Sequence, residues 1–266
     1  MLKLSSIQLD ILESLIPDHE ASPKGGRPPV SKRKALAGIF WILDNGAKWK
    51  DLPRRYGSKS SVHRWFLRWV KAGVFEQVMR SLGQMVEENG DFRLYECFVD
   101  GTFAKAKGGG DGIGCTKAGK GVKIMILVDA KGVPVAVSTG PANPHESGLI
   151  QELFGFMLPS QTPERVIGDS RSAAETGVAN AYDSDRLDEQ LADQGIELIA
   201  PNRSNRSPSQ DGRPLRRYKR RWTVERTIAW LQNYRRLCIR WEKSLLAFQG
   251  FLHLACALIL MNTVLG

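Results

Sequence analysis

Three short runs rich in β-branched and aliphatic residues crowd the middle of the chain: Leu94–Val99, Val122–Val128 and Val133–Thr139. In such close succession they favour antiparallel hairpins. Two further runs, Arg165–Ile167 and Glu197–Ala200, are set apart by helical patterns at Glu146–Met157 and Ser184–Gln194. That spacing favours parallel crossovers. A chain with both kinds of connection is expected to form a mixed α/β sheet flanked by helices. Further 3.6-residue periodicity marks Ile7–Ile16, Arg33–Asn45, Ser60–Lys71 and Phe75–Glu88 before the strands, and Trp222–Leu237 and Leu245–Leu265 after them.

The breaks between these patterns suggest the organisation. Ala21–Lys34 is rich in Pro, Gly and basic residues and reads as a linker or arm; Gly108–Gly114 reads as a flexible loop and Pro201–Pro214 as a polar one. We expect a helical unit over residues 1–90 and a sheet-containing unit over 91–266. The 266 residues are enough to bury a sizeable core. With 38 Lys+Arg against 28 Asp+Glu, the formal charge is +10. Such an excess points to a polyanion, with nucleic acid before an anionic membrane surface. The four cysteines, Cys97, Cys115, Cys238 and Cys256, have neither CxxC nor zinc-site spacing, and reduced buried thiols are expected. The N-terminus lacks the pattern of a signal peptide. Phe251–Leu265 is short for a membrane span and carries His253 and Asn262, so a buried terminal helix is expected. Nothing suggests export, and a cytoplasmic location with no membrane partner is expected.

Residues Arg33–Lys71 read as a helix-turn-helix. The first helix, AGIFWILDNG, ends at Gly46, and the segment WKDLPRRYG leads to a second, SVHRWFLRWVKAG. Ser58, Ser60 and Ser61 offer N-cap hydroxyls to it. Val62, Trp65, Phe66 and Trp69 can share a buried face, leaving Lys59, Arg64, Arg68 and Lys71 outside. A recognition helix needs an apolar back and a polar, basic front. The competing reading is a small bundle with a solvated basic face. His63 is expected to be a surface or partly packed residue.

Three acids draw attention. Asp100 closes the apolar run LYECFVD, Asp169 closes RVIGD, and Glu225 lies in the basic helix RRYKRRWTVERTIAWLQNYRRL. Arg221 and Gln232 fall near the Glu225 face at helical spacing. Carboxylates are hard ligands suited to Mg²⁺, and the surrounding cations suit phosphates. Singly, each acid has a plain structural reading: a turn cap for Asp100 or Asp169, a surface ion pair with Arg221 for Glu225.

Taken together, FVDGTFAKAKGGG, AYDSDRLDEQLADQGIELIAPNRSNR and DGRPLRRYKRRWTVERTIAWLQNYRRL resemble the DDE transposases of bacterial insertion sequences. The most specific element is Tyr, two residues, Arg, three residues, Glu, realised as Tyr218, Arg221 and Glu225. The resemblance covers essentially the whole chain. It implies an RNase-H-like catalytic core behind a helical DNA-binding unit. It implies Asp100, Asp169 and Glu225 as catalytic ligands of two Mg²⁺ ions, with Mn²⁺ as a substitute. It also implies phosphate contacts from Arg216, Arg217, Lys219, Arg220, Arg235 and Arg236, with Tyr218, Arg221 and Gln232 beside them. Gln232 stands where the family often has Lys or Arg. Lys59, Ser61, Arg64 and Arg68 would read DNA. His145 would lie at the periphery of the active site, and Glu146 would start a helix.

The second acid departs from the family pattern, in which D-x-A-Y-D would place an acid where Ala179 stands. An insertion near residues 170–180, directly after Asp169, accounts for this, because loop insertions cost little closure entropy. Asp183 and Asp185 are alternatives better suited to capping a helix. The implied function is binding of the element's terminal inverted repeats, followed by cleavage and strand transfer by a dimer or higher oligomer on DNA. Two alternatives stand beside it: an impaired or domesticated DNA-binding derivative, and a metal-dependent nuclease that cuts without joining.

Overall fold

The computed structural model describes residues 4–18, 30–143, 146–168, 185–199 and 220–266. Four helices come first: α1 (Ser6–Leu15), α2 (Lys32–Asn45), α3 (Lys59–Lys71) and α4 (Val74–Glu88). Ser5 opens α1 with a capping box, its side chain accepting from the Gln8 N–H while the Gln8 side chain accepts from the Ser5 N–H. Gly46 closes α2 in the left-handed region, φ 63°. A Cβ there would also stand 2.9 Å from the Arg235 Cβ, so glycine is needed for space as well as for the turn.

Then follow β1 (Cys97–Ala106), β2 (Gly114–Thr116), β3 (Gly119–Val128), β4 (Pro134–Pro141), α5 (Glu146–Phe154), β5 (Arg165–Ile167), α6 (Asp185–Ala192) and β6 (Glu197–Ile199). The chain ends with α7 (Trp222–Gln232), α8 (Arg235–Cys238), β7 (Ile239–Arg240) and α9 (Leu245–Leu265). Among the described residues the strands form one seven-stranded mixed sheet. β1 is central. It pairs antiparallel with β3, which in turn pairs antiparallel with β2 and β4. On its other edge β1 pairs in parallel with β5 near its start and with β7 near its end, and β6 lies parallel outside β5. The antiparallel and parallel halves therefore meet at β1, as the connection lengths predict.

Two corrections concern strand and helix length. β1 does not stop at Asp100. It runs six residues further, because Gly101–Lys105 continue the ladder against Gly121–Met125. The run Trp222–Leu237 is not one helix. It breaks at Asn233–Tyr234, where Tyr234 takes an extended conformation, φ −79° and ψ 95°.

Strand alternation divides the core into two layers. Phe98, Ala104, Val122, Ile124, Ile126 and Val128 join the cluster that includes α7, α9 and the N-terminal helices. Cys97, Val99, Met125 and Leu127 join a second cluster under α5 and α6. The larger cluster is continuous from Leu12 to Met261. It is held by Phe66 against Phe251 at 4.4 Å between ring centroids, and by Phe66 against Phe75 at 5.7 Å. By length and composition α9 could cross a membrane, yet 67% of its apolar window is buried against the rest of the fold. Of the four free cysteines, Cys97 and Cys256 are buried as expected, whereas Cys115 is exposed and Cys238 half-buried.

Candidate active site

The sequence of α7 gives one apolar stripe, Val224, Ile228 and Leu231, with Thr223 and Thr227 beside it, all buried. This stripe seats the helix on the β1–β3 face that carries Phe98 and Ile126. Two side-chain links fix its direction. At one end Arg220 forms an ion pair with Glu96 at 2.8 Å, just before β1. At the other, Gln232 Nε2 donates to Thr102 Oγ1 at 3.1 Å. Between them Thr227 Oγ1 donates to the Gly132 carbonyl at 2.8 Å, and Arg226 donates to the Lys131 carbonyl at 2.5 Å. So α7 runs alongside β1 in the same direction.

Asp100 lies on the side of β1 that meets α7, since it alternates in phase with Phe98 and Thr102. It sits mid-strand and only 8% exposed, so the expectation that it closes the strand is corrected. One of its oxygens accepts from the Gly101 N–H at 2.7 Å. Glu225 is two helical turns before Gln232 and so lies on the same flank of α7. Its side chain is 55% exposed and pairs with Arg221 at 2.8 Å. Measured from the Thr102–Gln232 contact, Asp100 is about 7 Å back along the strand and Glu225 about 10 Å back along the helix. The two acids are thus offset by about 4 Å along one seam.

β5 reaches the same region from the parallel side, with Phe98 paired to Ile167 and Cys97 to Val166. Asp169, Asp183, Arg216, Arg217, Tyr218 and Lys219 lie outside the described residues, as do His145 and the proposed insertion. Among the described residues no three His, Cys, Asp or Glu side chains gather to hold a metal. Asp100 and Glu225 are hard oxygen donors and fit a divalent cation of the Mg²⁺ type, with a further acid still required.

Several residues expected to meet phosphates are engaged within the fold. Arg220 and Arg221 hold Glu96 and Glu225. Arg236 is corrected outright. It is 2% exposed, donates to Glu242 at 2.8 Å and to the Ala47 carbonyl at 2.6 Å, and is out of reach of a DNA backbone. Sequence reasoning missed Glu96, Thr102 and Asp129. The last is fully buried and accepts backbone N–H bonds from Arg93, Lys131 and Val133, which sets the β3–β4 turn. Burial pushes its carboxyl above the ordinary range. The motif Asp-Ala-Lys-Gly at 129–132 was the available signal, since Asp favours such turns.

On α3 the expected faces are present. Val62, Trp65, Phe66, Trp69 and Val70 are buried, and Lys59, Arg64, Arg68 and Lys71 are exposed. The N-cap is Ser58, whose side chain makes no capping bond, and Ser61 sits within the first turn. His63 is partly packed, 4.5 Å from the Trp49 ring, and burial together with the Arg236 charge lowers its pKa.

Comparison with known proteins now bears on this geometry. Residues 92–260 match the family model described as "Transposase DDE domain", and residues 4–79 match "Putative transposase of IS4/5 family". A protein of Brucella ovis, "Putative transposase for insertion sequence element IS6501", is 33% identical over 144 residues, 52% of this chain and 95% of that protein. The chain belongs to the DDE transposases of bacterial insertion sequences. A second relative, "Putative transposase for insertion sequence element IS402" of Burkholderia cepacia, is 34% identical over 156 residues. That match covers 56% of this chain and 66% of the relative, just under two thirds of its length. Among solved structures, the piggyBac transposase in its synaptic complex with hairpin DNA matches 96% of this chain and 70% of its own, with a TM-score of 0.56 at 12% identity. The fold of this DDE transposase is accordingly the RNase-H-like mixed sheet.

Proposed function

We propose that this chain binds the terminal inverted repeats of its own insertion sequence and catalyses metal-dependent DNA cleavage and strand transfer. The observation that carries the reading is the seating of α7 along β1, with Asp100 and Glu225 on one seam. Asp169 is proposed as the third acid. In support, β5 lies parallel to the start of β1, in register Phe98 to Ile167, and ends two residues before it.

Asp100, Asp169 and Glu225 would hold two Mg²⁺ ions, with Mn²⁺ as a substitute. Such ions make a bound water or 3′-hydroxyl a better nucleophile and stabilise the departing oxygen. The side chains of this chain supply position. The Gly101 N–H orients one oxygen of Asp100, and Arg221 holds the Glu225 carboxylate. Gln232 ties the end of α7 to Thr102, so the helix cannot slide along the strand. Lys59, Ser61, Arg64 and Arg68 on α3 would face the DNA, with Arg216, Arg217 and Tyr218 contributing further contacts. Joining two ends to a target needs two sites, hence a dimer or higher oligomer on DNA, acting in the cytoplasm at the nucleoid.

The test is an oligonucleotide carrying the element end, incubated with the full chain, Mg²⁺ and a target plasmid. Cleaved and joined products are expected, and Asp100→Asn or Glu225→Gln should lower both by about three orders of magnitude or more while DNA binding persists. Undiminished cleavage by both variants would refute the assignment. Cleavage without any joined product would favour a nuclease, and binding without cleavage by the parent chain an impaired derivative.

A further inference from the structure

Lys48, Lys107 and Trp241 come from three distant parts of the chain and meet at one indole. The Lys48 ammonium is 5.3 Å from the Trp241 ring centroid and that of Lys107 is 5.9 Å from it. All three positions are fixed by their neighbours. Ala47 is held through its carbonyl by Arg236, which also holds Glu242. Arg240 pairs with Ala106 in the sheet, and its carbonyl accepts from the Lys107 N–H at 2.9 Å. Trp241 therefore stands between two anchored residues, and each lysine directly follows one.

Two cations share this ring. Two ammonium groups bordering a single ring are no more than about 11 Å apart, close to the Debye length of about 8 Å in physiological salt. Glu242, beside Trp241, is committed to Arg236, and Asp111, four residues from Lys107, to Arg240 at 3.0 Å, while Asp44 and Asp51 stand four and three residues from Lys48. Among the described residues neither Lys48 nor Lys107 has a carboxylate partner. Both ammonium groups lie over the indole; drawn aside onto a phosphate, they would leave a ring face for its base.

We propose that Trp241, Lys48 and Lys107 form a binding site for one unpaired nucleotide of a DNA strand, the base stacking on the indole and the phosphate lying between the ammonium groups. This rests on the DNA reading above. Lys107, the residue after β1, follows Asp100 by seven residues of extended chain, about 23 Å, so the site lies roughly six or seven base steps from the proposed reaction centre. It would hold a strand that has separated from its complement near the cut.

The experiment uses the full chain, a labelled twelve-nucleotide thymidine strand and a blunt duplex of equal length, with anisotropy read at several KCl concentrations. Trp241→Leu should weaken the single strand about tenfold, leave duplex affinity within about twofold, and keep the salt slope. Trp241→Phe should restore most of the loss, because a ring remains. Lys48→Ala with Lys107→Ala should reduce the single-strand slope by about 0.7, the loss of one neutralised phosphate. Equal single-strand affinity for the Leu variant, the Phe variant and the parent would overturn the proposal, as would an unchanged slope in the lysine pair. Should Trp241→Leu fail to fold, the Phe and lysine variants still decide. If the parent chain binds neither DNA, the DNA reading itself fails, a result distinct from failure of this site alone.

Discussion

On α3 the arginines and lysines face solvent; between Arg220 and Arg240 all but the exposed Arg235 are tied down. Lys59, Arg64 and Lys71 form no ion pair among the described residues. In the later stretch Arg220 holds Glu96, Arg221 holds Glu225, Arg236 holds Glu242 and Arg240 holds Asp111. Arg226 lies between the Trp222 and Trp230 rings, 4.7 and 4.9 Å from their centroids. Equal formal charge thus does two jobs. A solvated cation is available to neutralise a phosphate, whereas one locked to a carboxylate fixes the backbone around it.

The contrast can be broken most forcefully at Arg236. Removing it leaves the buried Glu242 without its partner, and Arg236→Ala should cost about 3 kcal/mol or more of stability, seen as a fall in denaturant midpoint. A loss below about 1 kcal/mol would mean that the locked cations are not structural.

A second test uses pH. Burial lowers His253 from its ordinary 6.5 to about 4, and lowers His63 as well. His253 stays neutral in the fold until pH nears 4, while the unfolded chain takes up protons below pH 6.5, and the shift at His63 acts in the same direction. Stability is therefore full above pH 6.5 and falls as pH drops toward 4, by on the order of 2–3 kcal/mol for His253. Thermal midpoints between pH 7 and 4.5 should show this decline, and His253→Leu should flatten it. An unaltered slope in that variant would remove His253 as the cause.

The smallest effect belongs to α3. Arg64→Ala with Arg68→Ala should change stability by no more than about 0.5 kcal/mol. It should also lower the salt slope of duplex binding by up to about 1.8 if both contact phosphates. Weakening that is greater for the element ends than for random DNA would assign the pair to sequence reading. Equal weakening would assign it to the backbone alone.

The helical unit was legible almost residue by residue because α2 to α4 carry apolar stripes, and a glycine ends α2. β5 was legible from a short apolar run. The length of β1 was not, since Gly101 looks like a stop and only pairing with Gly119–Val128 carries the strand past it. The break before α8 was equally hidden: no Pro or Gly marks Asn233–Tyr234. It is tertiary contact, Arg236 reaching Ala47 and Glu242, that accompanies the turn. The motif points to Asp100 and Glu225 as candidates, but their common seam depends on the links from Arg220 and Gln232, whose partners lie more than a hundred residues away.

The continuous core that joins Leu12 to Met261 has a mechanical consequence. With α9 packed in one core with the leading helices and the sheet, turning α3 relative to β1 would break buried apolar contacts. A double helix gripped at both places would have to supply the curvature itself, so sequences that kink readily between the two grips would be favoured without being touched.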